Sequence, residues 1–286
     1  MKSIHKIITL SIVLGLGLAI GYTSGPEIAD AAISTEKYEP EFKDFPEGVY
    51  RYKVRWEGIS VARASITVQK TSSQKDKNFY VRADARTVSG IDWLYKLRHR
   101  SESVFDAETF KPSAFYYRQI ENRKHKYRQV YFSDTGEIVA RRWKNGESKA
   151  NTKLTTNNDT LDPMSAAFIA RSLPIEKGKV VEFDIYNGKR RYLIEFNIVD
   201  IETLKTKRGE REAFKVVPFV TRIKDDGKFE KEDKLKSATI WVSTDKNRDI
   251  LKIKSSVVVG SVVAELESFH AETPTIPAII DAKIIG

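Results

Sequence analysis

The stretch Tyr50–Trp56, with the sequence YRYKVRW, decides the fold prediction. Every second residue is apolar and each residue between is a cation: Tyr50, Tyr52, Val54 and Trp56 alternate with Arg51, Lys53 and Arg55. Successive side chains of a β-strand point to opposite faces, so this period of two places rings on one face and charges on the other. The pattern predicts a half-buried strand of an antiparallel sheet.

Further runs with the same alternation are separated by residues that favour turns. Gly58 ends the first run and Ala62–Val68 resumes it. Two Asn-Gly pairs stand beside strand-like runs, Asn145-Gly146 and Asn187-Gly188. Asn-Gly favours a type I′ turn, because both central residues need positive φ. The spacing predicts a mainly β fold of roughly a dozen short strands, an antiparallel β-roll or open barrel that forms a single domain over residues 49–270.

One central helix is predicted inside this mainly β chain. Asp162 suits the N-cap and Pro163 the first helical position, and an apolar stripe continues to Pro174. A shorter helical turn is predicted over Gly90–Tyr95, where apolar residues cluster. Residues 271–286 form a tail with Pro and Ile, whose pattern fits either docking on the domain or a loose end.

The first residues are typical of a secretory signal peptide over residues 1–31. A basic start precedes Ile7–Ile20, an unbroken stretch of apolar or small residues, and small residues predict cleavage between Ala31 and Ala32. The stretch is shorter than the roughly 20 residues that a helix needs to cross a bilayer, and an uncleaved anchor is the alternative. We expect a periplasmic or secreted protein without a membrane span, beginning with an exposed leader over residues 32–48.

Composition narrows the function classes. Of 286 residues 41% are hydrophobic and 31% charged, and Cys is absent. This suits a soluble globular domain and excludes a lipoprotein, which needs a Cys for its lipid. Among the residues after the signal peptide, His99, His125 and His270 have no zinc-type spacing, and no nucleotide or nucleophile motif is present. We therefore expect no metal, no cofactor and no catalytic residue.

Basic residues are the candidate binding groups, since the formal net charge is +10. Lys96, Arg98 and Arg100 recur with period two and share one face if they belong to a strand. A second basic run, from Arg118 to Arg128, lies among Tyr116, Tyr117, Tyr127 and Tyr131. Arg binds carboxylate or phosphate through its planar fork and stacks on rings. The predicted ligand-binding residues are Arg98, Arg100, Arg118, Arg128, Trp93 and Tyr117.

Export, which the signal peptide predicts, limits the anions that such a basic surface can meet. Lipid headgroups, lipopolysaccharide phosphates and acidic glycans are the anions that an exported protein meets. A solvated basic face that prevents edge-to-edge pairing of strands is the alternative. Nucleic acid is not an expected partner, because export separates the chain from it and no nucleic-acid motif is present.

Several stretches resemble domain-of-unknown-function family 3108, a family of exported bacterial proteins. The matching stretches are Tyr52–Ile59, Val61–Ala64, Asp159–Leu173, Ile240–Asp245, Val259–Val262 and Ala264–Leu266. Ala62 stands where the family often has Gly. The resemblance covers about Gly48–Phe269 and implies an antiparallel β-roll or open barrel in the periplasm, wrapped partly around a helix. It implies no activity and no catalytic residues.

Three functions are consistent with these observations. The first is a non-catalytic envelope protein that binds a lipid or an anionic glycan. The second is a structural or adaptor protein that docks an envelope machine or another protein partner through an exposed strand edge. The third is a glycan-acting enzyme with two facing carboxylates, for which Asp159 and Asp245 are the nominal candidates. The first is favoured, because export, alternating strands and basic runs occur together.

Overall fold

The computed structural model describes residues 39–72, 77–156, 159–224, 227–231, 238–257 and 259–271. The predicted signal peptide with its cleavage site at Ala31 and Ala32, and the tail from residue 272, lie outside the described residues. The strands are β1 (Gly48–Trp56), β2 (Ile59–Ser72), β3 (Lys77–Thr87), β4 (Leu97–Asp106), β5 (Pro112–Glu121), β6 (Lys124–Phe132), β7 (Glu137–Lys144), β8 (Glu147–Thr155), β9 (Val180–Tyr186), β10 (Arg191–Thr206), β11 (Gly209–Ile223), β12 (Phe229–Lys231), β13 (Ala238–Ser243), β14 (Ile250–Ser256) and β15 (Ser261–His270). The helices are α1 (Ser89–Asp92) and α2 (Pro163–Ser172).

The strands form one open antiparallel sheet. Their order across it is β8, β7, β6, β5, β4, β3, β2, β1, β15, β14, β13, β11, β10 and β9, with β12 beside β11. Strands β8 and β9 are therefore the two edges. The first and last strands pair at the middle, from Val49 opposite His270 to Trp56 opposite Val262. The prediction of a mainly antiparallel β fold with one central helix is confirmed, with more strands than expected.

Helix α2 packs against one face of the sheet, which we call the inner face; the opposite face is the outer face. The ring of Phe168 in α2 lies 5.4 Å from Phe105 of β4 and 6.0 Å from Phe79 of β3, between centroids. Phe45 lies 4.8 Å from Phe168 and 6.1 Å from Phe110. All five rings are buried. The large apolar area of these rings fixes α2 on the sheet.

The helix begins where the sequence predicts. Oδ1 of Asp162 accepts hydrogen bonds from the backbone N–H of Met164 at 2.7 Å and of Ser165 at 3.3 Å. In return, the Asp162 N–H donates to Oγ of Ser165 at 3.2 Å, which completes a capping box. Pro163 occupies the first helical position, where no N–H is needed. The helix ends at Ser172, two residues before Pro174.

The described part of the predicted leader has exposed acidic residues, but it packs on the domain through its phenylalanines. The side chain of Phe45 is only 1% exposed. The backbone N–H groups of Glu41 and Phe42 both donate to the carbonyl of Ser172, at 2.8 and 3.0 Å, and so tie the segment to the end of α2. Acidic residues and prolines suggested exposure, yet two phenylalanines in this segment join the core. Phe42 and Phe45 thus connect this segment to the core.

The two Asn-Gly pairs form different turns. Asn145 and Gly146, between β7 and β8, have φ values of 53° and 85°, as a type I′ turn requires. At Asn187-Gly188, between β9 and β10, only the glycine has positive φ, at 78°. Oδ1 of Asn187 instead accepts from the backbone N–H of Lys189 at 3.0 Å and of Arg190 at 3.1 Å. The second pair therefore forms an Asx-type turn.

Candidate anion-binding site

A row of cations crosses the outer face on four neighbouring strands. Each member lies directly opposite the next: Lys53 of β1, Arg63 of β2, Arg86 of β3 and Arg98 of β4. The residues that flank Arg63 in sequence, Ala62 and Ala64, are buried in the core, so strand alternation directs Arg63 outward. Like charges directly opposite one another on a sheet are destabilising. Repulsion within this row therefore lowers the stability of the folded protein.

A second row runs beside the first and is partly neutralised. Asp84 of β3 lies opposite Arg100 of β4, which lies opposite Arg118 of β5. Nε of Arg100 donates to Oδ1 of Asp84 at 2.7 Å. Within the first row, Nη1 of Arg98 donates to Oδ1 of Asp92 at 2.9 Å. This hydrogen bond raises the pKa of Arg98 and lowers the pKa of Asp92.

Three arginines of these rows have no such partner. Among the described residues, Arg63, Arg86 and Arg118 form no ion pair within 4.0 Å of a carboxylate. Arg86 and Arg118 are exposed to solvent, as is Arg63. Their guanidinium groups are permanently charged. They are therefore free to bind an anionic ligand.

A groove of about 840 Å³ on the outer face gathers these side chains. Its arginines are Arg51, Arg63, Arg86, Arg98, Arg100 and Arg118, and its carboxylates are Asp84 and Glu267. Asp84 is held by Arg100, and Glu267 accepts a hydrogen bond from Nζ of Lys207 at 2.6 Å. The six cations exceed the two acids, so the groove attracts anions.

An aromatic pair continues this groove towards β7. A neighbouring hollow of about 410 Å³ shares Arg118 and Ile120 with it and adds Tyr127 of β6 and Trp143 of β7. The two rings lie opposite one another, with centroids 5.3 Å apart and planes tilted by 41°. Flat apolar rings beside arginines offer both a stacking surface and charge.

The structure divides the predicted ligand-binding residues among three places. Arg98, Arg100 and Arg118 line the outer-face groove together. Tyr117 and Arg128 lie opposite one another on the inner face, and the guanidinium of Arg128 is 4.2 Å from the centroid of the Tyr117 ring. Trp93, directly after α1, is 82% exposed. Adjacent residues of a β-strand point to opposite faces of the sheet, so Tyr117 and Arg118 lie on different faces.

Sequence reasoning did not single out Arg51, Arg63 and Arg86. A signal was present, since Arg63 and Arg86 each alternate with small apolar residues in β2 and β3. The alignment of these arginines depends on the register between strands, which alternation along one strand does not reveal.

Buried polar side chains, among them Asp162 and His99, also lie on the inner face. Burial raises the pKa of Asp162 to about 6, against the hydrogen bonds from Ser103, Met164 and Ser165, which lower it. Burial lowers the pKa of His99 to about 3, so this imidazole is neutral. Oγ of Ser101 lies 2.9 Å from Nε2 of His99. The contacts of Asp162 are those of a helix cap, so we assign it a structural role.

The two nominal catalytic carboxylates have separate surroundings. Oδ1 of Asp159 lies 3.8 Å from Nζ of Lys111. Asp245 pairs with Arg211, and its Oδ1 accepts from the backbone N–H of Asn247 at 2.9 Å. The ordinary loop contacts of Asp245 fit a turn residue.

Over the described ranges, no group of three His, Asp or Glu side chains is arranged to hold a metal ion. No helix within those ranges has the length and apolar character needed to span a bilayer.

Three solved structures are similar to this chain at low sequence identity. A β-barrel-like protein of the domain of unknown function DUF1849 from Brucella abortus is 13% identical, with a TM-score of 0.46, over 78% of this chain and 95% of that one. A protein named as exported, with a YmcC-like fold, from Bacteroides fragilis is 11% identical, with a TM-score of 0.36, over 81% of this chain and 99% of its own. One named as a lipoprotein from Parabacteroides distasonis has the same identity, TM-score and coverage.

The comparison with curated proteins finds no significant match. The comparison with protein families matches residues 51–267 to DUF3108, described as a protein of unknown function. That range includes all the arginines of the outer-face groove and the helix α2. The resemblance noted in the sequence is thereby confirmed: the chain belongs to the DUF3108 family.

Proposed function

We propose that this protein is a non-catalytic binding protein of the cell envelope whose outer-face groove holds an acidic glycan. The observation that supports this most strongly is the row of directly opposed cations on β1 to β4. Such a row destabilises the free protein, and a bound polyanion removes that cost. Violations of folding rules of this kind are expected at functional sites.

The dimensions of the groove favour an extended ligand. Neighbouring strands lie about 4.8 Å apart, so the four cations of the row extend over roughly 14 Å. The groove continues from Arg118 to the rings of Tyr127 and Trp143. Carboxylates of a sugar chain bind the forks of the arginines, while the apolar faces of its rings stack on the aromatic pair. A glycan uses both features, whereas a small inorganic anion uses only the first.

The chemistry of the groove favours binding over catalysis. General acid–base catalysis needs a group that exchanges protons near neutral pH. Arginine keeps its proton throughout this range. The acids of the groove, Asp84 and Glu267, are engaged by Arg100 and Lys207. The hydrogen bond from Lys207 lowers the pKa of Glu267, which makes it a poor proton donor.

The test measures binding of the full chain to polygalacturonate oligosaccharides by isothermal titration calorimetry in about 0.15 M salt, where distant charges are screened. The double variant Arg63→Gln/Arg86→Gln should lose roughly tenfold or more in affinity, because hydrogen bonds to charged groups contribute about 1.5–3 kcal/mol each. Lys149→Gln/Lys153→Gln on β8 removes the same charge elsewhere and should bind like the wild type.

Two outcomes would contradict the proposal. Equal losses in both double variants would mean that net charge alone attracts the glycan. Binding to anionic lipid vesicles, without binding to the oligosaccharides, would assign the groove to a lipid headgroup instead. Thermal melting of each variant shows whether it is folded before affinity is compared.

A further inference from the structure

A second concentration of cations lies on the inner face, at β6 and β7. Lys126 lies directly opposite Lys144, and Arg128 directly opposite Arg142. The next pair along these strands, Val130 and Ala140, is buried in the core. Because side chains alternate, the four cations share the inner face with that pair. Two adjacent pairs of like charges are again a destabilising arrangement.

The turn between β9 and β10 adds Lys189 and Arg190 to this cluster. Nη1 of Arg128 donates to the carbonyl of Asn187 at 3.0 Å. A Cβ atom at Gly188 would lie 2.7 Å from Cγ2 of Val130 and 3.4 Å from Cβ of Arg128, so the turn is packed directly on β6. Burial lowers the pKa of Lys189, and the charges of Arg190, Arg128 and Arg142 lower it further. Two distant parts of the chain thus bring six cations together, which we call the inner basic cluster.

Four members of the inner basic cluster have no ion-pair partner in the part of the chain that the structure describes. Oε2 of Glu121 lies 3.1 Å from Nζ of Lys126. No described carboxylate forms an ion pair with Arg128, Arg142, Lys144 or Lys189. Nε of Arg142 is buried and has no hydrogen-bond partner among the described residues. A buried donor without an acceptor is costly, so an acceptor from outside the chain would stabilise it.

We propose that the inner basic cluster is a second anion site, which binds a phosphate group carrying two negative charges. Two planar guanidinium forks, from Arg128 and Arg142, match the oxygen geometry of phosphate. Lys144 and Lys189 are exposed at the rim and supply further point charges. Arg128 is held in place by the Tyr117 ring and the Asn187 carbonyl. The inner part of the site is therefore ordered, and its rim is open to solvent.

The residues substituted to test this site, Arg142 and Lys189, do not line the outer-face groove or the hollow beside it. In β5 and β6, Tyr117 lies opposite Arg128 on the inner face, and Arg118 lies opposite Tyr127 on the outer face. Substitutions in one cluster therefore leave the other in place. Failure of the glycan experiment would not affect the phosphate experiment, and the reverse also holds.

The experiment follows thermal unfolding of the full chain in inorganic phosphate and, separately, in sodium chloride of equal ionic strength. Wild-type protein should melt at a higher temperature in phosphate, since a ligand that binds only the folded state stabilises it. The variant Arg142→Gln/Lys189→Gln should lose this increase. Without phosphate it should melt no lower than the wild type, because two repelling charges are gone. The control Arg63→Gln/Arg86→Gln should keep the response to phosphate.

A phosphate response that persists in Arg142→Gln/Lys189→Gln, or that is missing from the wild type, would overturn the proposal. If the double variant melts too low to compare, the single variant Arg142→Lys takes its place, because it keeps the positive charge and loses the guanidinium fork. A response of Arg142→Lys to phosphate equal to that of the wild type would also overturn the proposal. Dihexanoyl phosphatidic acid, a soluble lipid, separates two sources of the same group. A larger response to it than to inorganic phosphate identifies a lipid headgroup, and an equal or smaller one identifies free phosphate.

Discussion

The hydroxyl of Ser103 in β4 donates a hydrogen bond of 2.7 Å to Oδ2 of Asp162, the N-cap of α2. The other carboxylate oxygen, Oδ1, caps the helix through Met164 and Ser165. One fully buried carboxylate, at 0% exposure, therefore serves both the helix and the sheet. This places the first turn of α2 at one position along β4.

Removal of the Ser103 hydroxyl tests this link. Ser103→Ala leaves Oδ2 of Asp162 without its donor in a buried place, which should lower the free energy of unfolding by about 1–3 kcal/mol. Urea unfolding measures the change. Ser113→Ala on β5 removes an exposed hydroxyl and should change stability by less than about 0.5 kcal/mol. Equal effects of the two substitutions would show that the link contributes nothing specific.

Phe45 tests whether residues 39–48 belong to the domain. Phe45→Ala removes a buried ring that contacts Phe79, Phe110 and Phe168, and should destabilise the protein by about 3–5 kcal/mol. Glu41→Ala, at an exposed position of the same segment, is the matched control. If the segment were the exposed leader that its composition suggested, both substitutions would leave the urea midpoint unchanged.

Alanine substitutions at Gly188 and Gly146 distinguish two causes of lost stability, a steric contact and a strained backbone conformation. Both have positive φ, 78° and 85°, so alanine strains the backbone at each, by about 1–2 kcal/mol. A Cβ at Gly146 meets nothing within 4 Å, whereas at Gly188 it lies 2.7 Å from Val130. Gly188→Ala should therefore be clearly more destabilising than Gly146→Ala in thermal unfolding. Equal losses would mean that the turn does not pack on β6.

Acid should destabilise the protein through His99. The pKa of this buried residue falls from 6.5 to about 3 on folding, chiefly because burial disfavours the charged form. Its contribution to stability is complete above pH 6.5 and is lost as the pH falls towards 3. The His99→Gln variant cannot take up this proton. Below pH 6.5, its free energy of unfolding should therefore rise relative to that of the wild type, by somewhat more than ~1 kcal/mol for each unit by which the pH is lowered.

Asp162 has the opposite effect on how stability depends on pH, so the experiment must separate its contribution from that of His99. Burial raises its pKa from 3.8 to about 6, so its contribution is complete below pH 3.8 and is lost as the pH rises through 6. Comparison of the wild type with His99→Gln cancels this effect, since both contain Asp162. His125→Gln, at an exposed position, is the control. A constant difference between wild type and His99→Gln from pH 7 to pH 4 would contradict the assignment.

Local chemistry made much of the fold predictable. The alternation of Tyr50–Trp56 became β1, and Asp162, Pro163 and Pro174 marked α2 almost to the residue. These features depend on residues close together in the chain. The candidate site was only partly predictable, because the row from Arg63 to Arg98 exists through the register of β2, β3 and β4. Phe45 was missed for a similar reason, since its partners lie far away in sequence.

The central pair of β1 and β15 has a consequence for how the chain is assembled. Strands β1–β8 form one uninterrupted meander on one side of that pair, and β9–β15 occupy the other side. The connection that carries α2 is the only covalent link between β8 and β9, the two outermost strands. A cut there would leave two complementary fragments that rejoin through β1 and β15. Because Val49 lies opposite His270 and Trp56 opposite Val262, this central pair would hold the two fragments in register, with every strand pair of the sheet intact.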